Sequence, residues 1–228
     1  MKIKFFGIEN EIIFRQGIVS VLEIENRPLL RNVIFGLYHL RNENQSNMAI
    51  TMEINKNIEL LSNFELITDI LNLDLSASQA KLTKYIYGEL EKSQEEYKEI
   101  YNDLAQIKSK IFSFLSDISF DLCYNEPEIL DLIKDFNFKL NCKTDESILP
   151  NVLNFLKAVK FLKLADIVIF VDLKKYFSKS ELLQIYNMSF ILDLKILLIE
   201  SSISSQLLPN EWKLSIDDDL YESIPLEL

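Results

Sequence analysis

The 228-residue sequence predicts an α/β protein with a helical domain inserted into it. Three observations carry that reading. The C-terminal third alternates apolar runs with a helix, as "DIVIFVD", "SKSELLQI" and "KILLIES"; continuous apolar runs suit the strands of a parallel sheet, which are buried on both faces. Short β-rich runs stand at the N-terminus. Between the two, from about Ser78 to Asp117, there is one glycine, no proline and many Lys and Glu. The expected division is an α/β domain from residues 1–77 and 118–228, with a helical domain over 78–117 inserted between its halves.

Each element has its own local reason. "KIKFF", "EIIF" and "IVSVLEI" read as short strands separated by the turn-rich "GIEN" and "RQG". Arg27 to Arg41 has apolar spacing near 3.6 and Pro28 at its start, so it is helical. "NENQSN" is a loop, and "FELITDILNLDL" is a strand running into a turn. In the helical domain, Tyr97, Ile100, Leu104, Ile107, Ile111 and Phe114 step by threes and fours, a heptad seam. It packs on the other arm of a hairpin, Leu82 to Glu91, or on a second subunit. Ile118, Phe120, Leu122 and Tyr124 alternate as a strand, and Glu126-Pro127 opens a helix. Leu149 to Leu164 is helical and apolar nearly all round, which predicts a helix sandwiched between layers. Ser178-Lys179-Ser180-Glu181 is a capping box that starts the helix after "DIVIFVD". "WKLSIDD" reads as a shorter edge strand.

Composition narrows the function. A chain of this length buries roughly 70% of its unfolded surface, enough for a self-sufficient core. No segment approaches the roughly 20 apolar residues that a membrane helix needs, and "MKIKFFGIEN" meets an acid too early for a signal peptide. The expected compartment is therefore the cytoplasm. Cys123 and Cys142 suit two reduced thiols there. His39, the single histidine, reads as a helix surface residue. The net charge of −11 opposes broad binding to polyanions, although it permits a local basic face.

Much enzymatic chemistry is missing. A phosphate-cradling loop needs closely spaced glycines. The four glycines here, Gly7, Gly17, Gly36 and Gly88, form no such pattern. Asp172 ends its apolar strand where a nucleotide hydrolase holds magnesium, yet no loop presents a phosphate to it; it reads as a strand-end acid that caps or faces solvent. One histidine also leaves no nucleophilic triad to assemble. Two residue groups keep open alternatives. Asp121, Asn125, Glu126, Glu128 and Asp131 gather at a strand-to-helix corner, where oxygens suit calcium or serve as partners of the helix dipole. Lys157, Lys160 and Lys163, three apart on one helix, line a phosphate-binding surface or simply keep that helix soluble.

Four segments together resemble a known family: "LITDILNLDLSASQAKLTKYIYGELE", "FDLCYNEPEILDLIKDFNFKL", "LADIVIFVDLKKYFSKSELLQI" and "KILLIES". In that order and spacing they are similar to the small accessory protein of type II-A CRISPR systems, which takes part in spacer acquisition and so in antiviral defence. The resemblance runs from about Leu66 to the C-terminus, and more loosely through the N-terminal strands. It implies an α/β head related to P-loop nucleotide-binding folds but without a phosphate loop or nucleotide chemistry, and a helical leg. It implies a ring-shaped homotetramer, stabilised by calcium, whose lysines hold double-stranded DNA by its ends, with no enzymatic activity. The implied partners are the CRISPR integrase proteins and the RNA-guided effector nuclease.

Residue by residue, the resemblance is uneven. Asp121, Glu126 and Asp131 keep acids of the family's calcium region, but Ser119, Cys123 and Asn125 stand where the family has further acids. Fewer charged ligands weaken calcium, leaving Glu128 or Asp117 as substitutes. Lys134 matches a family lysine. The basic stretch after the "KILLIES" strand is replaced by "SSISSQLLPNEW", with no cation before Lys213. The expected phosphate contacts are Lys134, Lys139, Lys143, Lys157, Lys160 and Lys163. The rival expectation is a protein-interaction scaffold of the same acquisition complex with little DNA affinity.

Overall fold

The computed structural model describes residues 1–43, 49–54, 56–73, 79–115, 128–140, 148–204 and 206–224. In chain order its elements are β1 (Lys2–Phe5), β2 (Ile12–Ile13), β3 (Val19–Ile24), α1 (Arg27–Glu43), β4 (Ile50–Ile54), β5 (Asn57–Leu60) and β6 (Phe64–Ile67). Three helices follow, α2 (Gln79–Lys92), α3 (Gln94–Leu115) and α4 (Ile129–Asp135). The remainder is α5 (Ile148–Phe161), β7 (Ile167–Val171), α6 (Lys179–Ile191), β8 (Lys195–Glu200), β9 (Glu211–Ile216) and β10 (Glu222–Ser223). The chain divides into two compact units, Met1–Leu73 with Asn141–Leu228, and Asp74–Leu140.

The larger unit is built on two sheets. Strands β2-β1-β4-β5 form an antiparallel sheet, and β10-β9-β3-β8-β7-β6 form a second in which all but β10 are parallel. Alternation assigns the faces. Leu22, Ile24, Ile167, Ile169, Leu197, Ile199, Leu214 and Ile216 share one core with Ile3, Phe5 and Ile50 of the small sheet and with Val33 and Leu37 of α1. Burying each such side chain contributes about 1.5–3 kcal/mol. The helix α6 packs on β8 and on α5, burying Leu182, Ile185 and Tyr186. Its capping box is present: Ser178 N–H donates to the Glu181 carboxylate at 2.8 Å.

The smaller unit is a helical hairpin joined at Ser93, with α4 packed on α2 and α3. It reaches past the expected boundary at Asp117 because α4 buries Ile129 and Ile133 among these helices. The seam on α3 also drifts from the expected heptad. Tyr97, Ile100 and Leu104 are half-buried as expected, but the covered positions continue through Lys108, Phe112 and Leu115, leaving Ile107, Ile111 and Phe114 exposed. A straight helix turns every 3.6 residues and slides off a 3.5-residue stripe.

Three further readings change. The segment "WKLSI" is not an edge strand: β9 pairs in parallel with β3, all six of its residues are buried, and β10 covers its outer side. The hairpin of β4 and β5 adds to the expected elements. Its signal was the alternation of Ile50, Met52 and Ile54 with Thr51 and Glu53. The helix α5 buries a stripe of Val152, Phe155, Leu156 and Val159 while Lys157 and Phe161 stay exposed, so it is not sandwiched. The strand expected over Ile118–Tyr124 lies outside the described residues, as do both cysteines.

Candidate functional site

In open α/β sheets, ligands bind outside the carboxyl ends of the strands, where successive connections leave in opposite directions. Here that point lies between β3 and β8. The chain leaving β3 returns at the far edge in β6, whereas the chain leaving β8 crosses to β9 on the other side. Glu23 and Glu200 are paired across these two strands at that end, and both are buried.

Internal ion pairs fill this crevice. Glu23 accepts from Ser215 Oγ at 2.8 Å and faces Lys213 Nζ at 3.3 Å, with both side chains of the pair almost wholly inaccessible. Lys213 also donates to the Ser204 carbonyl. Glu200 accepts the Lys174 N–H at 3.1 Å. Burial, helped by the charge of Asp172, pushes its carboxyl up to about 7, although the Lys174 N–H and charge pull the other way. Lys174 reaches along the sheet face to Glu211, its Nζ 2.9 Å and 3.0 Å from the two carboxylate oxygens. Glu211 also accepts from Tyr186 Oη at 2.5 Å and from the Leu208 N–H at 3.1 Å. Burial and that carboxylate push the Tyr186 hydroxyl pKa up. Among the described residues no buried side-chain polar atom lacks a partner.

Asp172 completes the arrangement. It sits at φ 56°, in the left-handed region, and its Oδ1 accepts the Ser201 N–H at 2.9 Å. Its Oδ2 pairs with Lys175 at 2.8 Å. Burial opposes ionisation, but Lys175 and Ser201 outweigh it and hold the carboxyl below its usual range. It is thus a clamp between the ends of β7 and β8. After β3, where a phosphate loop would lie, the Asn26 side chain accepts the Leu29 N–H at 3.0 Å and so caps α1.

The expected lysines fall in both units. In the smaller one, Lys134 is bound to Asp131 at 2.8 Å, and Lys139 is exposed. In the larger, Lys157 and Lys163 are exposed and have no carboxylate partner among the described residues, and Lys160 Nζ donates to the Asp193 carbonyl at 3.3 Å. No acid lies on α5. Lys143 lies outside the described residues. Two cations that sequence reasoning passed over, Arg15 and Lys195, line one cavity of about 470 Å³ with Asp193. Their one signal was a position just before, or at the start of, a strand.

Of the expected calcium ligands, Asp121, Asn125 and Glu126 lie outside the described residues, as do Asp117, Ser119 and Cys123. Glu128 is the exposed N-cap of α4. Asp131 accepts its backbone N–H at 3.4 Å, and Lys134 with that N–H holds Asp131 below the usual carboxylate range. Two carboxylates, one already bound to a lysine, fall short of the six to eight oxygens, roughly, that calcium takes. The described pair alone therefore does not fit the ion. Among the described residues no group of three His, Cys, Asp or Glu is placed to hold a metal, and no helix is long and apolar enough to cross a membrane. His39 packs its ring against Phe35 and Tyr38 on α1.

Comparison with known proteins adds to this geometry. A family model described as "CRISPR-associated protein (Cas_Csn2)" matches residues 41–220. A CRISPR-associated protein Csn2 from Streptococcus agalactiae is 25% identical over 139 residues, or 59% of this chain. The match covers 62% of that protein, so the chain spans under two thirds of the curated relative's length. Among solved structures, the crystal structure of Stu0660 of Streptococcus thermophilus matches with a TM-score of 0.59 over 99% of this chain and 76% of that one. At 12% identity that likeness bears on the fold alone.

Proposed function

The chain belongs to the Csn2 family of CRISPR-associated proteins, and on that premise we propose that it binds double-stranded DNA without catalysis during spacer acquisition. The observation that carries this reading is the acid-free helix α5, with Lys157 exposed on its surface and Lys163 exposed in the turn after it, neither paired with a carboxylate among the described residues. Binding through phosphates is sequence-independent and steeply salt-dependent. The six-stranded sheet serves as a head related to P-loop folds but without a phosphate loop, and the helical unit serves as the leg. Four chains close a ring around the duplex, and DNA ends are the point of entry. Lys134, Lys139, Lys143, Lys157, Lys160 and Lys163 supply the phosphate contacts. Calcium would have to be held by Asp121, Asn125 and Glu126 together with Glu128 and Asp131. The integrase proteins and the RNA-guided effector nuclease are the protein partners.

The filled crevice supports the absence of nucleotide turnover, because Lys174 and Lys213 are bound to carboxylates of the same chain. A mobility-shift assay with linear and closed circular duplex, with and without calcium, tests the reading. Retention of the linear form alone is expected, weakening as salt rises. A nucleotide hydrolysis rate above the buffer blank would contradict it.

A second reading has its own support. The net charge is −11, Lys134 is bound to Asp131, and Lys213 is buried against Glu23. These favour a protein-interaction scaffold of the acquisition complex, and failure to shift either form of DNA would select it.

A further inference from the structure

At the edge from which the parallel strands of the larger unit start, Arg15 and Lys195 line the same cavity of about 470 Å³, together with Gln16, Gly17, Phe190 and Asp193. We propose that this cavity and the α5 lysines beside it form one surface that holds a nucleic-acid backbone by its phosphates. The inference rests on the DNA-binding reading and says where on the larger unit the strand lies.

Three contacts join the parts. Lys160 Nζ reaches the carbonyl of Asp193, a residue of the cavity wall. The Lys195 N–H donates to the Asp166 carbonyl at 3.1 Å, three residues after Lys163. The Val19 N–H, at the start of β3, donates to the Asn210 carbonyl at 2.8 Å, which closes this edge on its other side. Among the described residues the charges set together here are Arg15, Lys157, Lys160, Lys163 and Lys195 against Asp166 and Asp193. Asp166 is engaged by the Asn63 side chain at 2.6 Å. Among the described residues Lys163 and Lys195 have no carboxylate within ion-pair reach, in a chain that carries an excess of acids. Gly17, at φ 69°, has open space where a side chain would stand, so the turn beside Arg15 is uncovered.

A lone phosphate would need only the cavity, where Arg15 offers the planar fork that pairs with phosphate oxygens. The lysines extend beyond it. Lys157 and Lys160 are separated by about 4.5 Å along α5, and Lys163 stands in the turn beyond Phe161, the last residue of that helix, so the cations extend over more than one step of a DNA strand at about 3.4 Å each. A row of that length suits a polymer of phosphates better than a single anion.

The test measures linear duplex binding by fluorescence anisotropy across a salt series. It compares the intact chain, R15Q/K195Q, the charge-preserving R15K/K195R, and Lys56→Gln at the distant β4–β5 turn. The expected result is a log–log salt slope shallower by about 2 in R15Q/K195Q, roughly one for each phosphate contact, with affinity down about tenfold at low salt. R15K/K195R should restore binding, and Lys56→Gln should leave it unchanged. If the intact chain binds duplex and R15Q/K195Q matches it in affinity and slope, the inference falls while the DNA-binding reading stands. If the intact chain binds no duplex, both fall. A loss that R15K/K195R does not restore, at an unchanged melting midpoint, also counts against the inference. So does inorganic phosphate that stabilises the intact chain but not R15Q/K195Q while duplex binding is unaffected, because that marks a small-anion pocket.

Discussion

Where the strands of the six-stranded sheet finish, Lys175 and Lys213 are held by Asp172 and Glu23, and Lys174 runs from that end to Glu211. Where the strands start, Lys163 and Lys195 stand without such partners among the described residues, and Arg15 lines an open cavity. The same residue type thus does two jobs at the two ends of one sheet. At the finishing end, lysines neutralise buried acids and close the crevice that related α/β sheets use for ligands. At the starting end Lys163 is exposed and Lys195 lines a cavity. The −11 average conceals this division, because a cation buried against its own carboxylate adds nothing to the field that an approaching polyanion meets.

The comparison can be broken first by attacking the closed end. Lys213→Ala leaves Glu23 buried with Ser215 Oγ but no cation, and should destabilise the chain by about 3–5 kcal/mol, measured by urea unfolding. Raising the pH attacks the same end more gently. Burial raises the Glu200 pKa to about 7, so between the ordinary carboxylate range and that value the folded state holds a proton that the unfolded state releases. That contribution is whole below about pH 4.5 and is lost as pH rises through 7. The unfolding free energy measured in urea should therefore fall across that window by an amount on the order of 3 kcal/mol. Glu200→Gln should flatten the fall; an unchanged slope in that variant would remove Glu200 as its cause. Asp172 titrates with the opposite sign, since its stabilisation is present above its unfolded pKa and lost at lower pH.

Smaller changes sharpen the contrast. Tyr186→Phe deletes the hydroxyl that donates to Glu211 and should cost about 1.5–3 kcal/mol by thermal or urea melting, as for other hydrogen bonds to a charged group. Lys163→Gln, at the open end, should change stability by less than about 0.5 kcal/mol while weakening duplex binding in the anisotropy assay. If Lys163→Gln proved as destabilising as Tyr186→Phe, the two ends would not differ as described.

Legibility in the sequence followed the range of the interaction. Pro28 at the start of α1 and the Ser178–Glu181 box at the start of α6 are local signals, and the structure has both. The apolar runs of β7 and β8 were legible for the same reason. The covered stripe on α3 departs by one residue from the expected heptad in its second half, because covered and exposed positions there depend on helix twist over several turns. Calling β9 an edge strand failed because sequence proximity to β8 says nothing of a crossover that places it beside β3. Arg15 and Lys195 went unnoticed because they lie 180 positions apart by their numbers, on opposite sides of the inserted unit, and only the fold brings them to one cavity.

The sequence by itself determined the class of fold, the existence of most helices and strands, the lack of a phosphate loop and the likeness to a CRISPR accessory family. Those depend on periodicity, composition and short spacings, which reach a few residues along the chain. The tertiary structure alone decided which lysines are bound and which face outward. Lys213 meets Glu23 from 190 positions away, and Lys174 meets Glu211 from 37. A charge is cancelled only by a partner within a few ångströms, and which partner comes that close is a property of the folded chain.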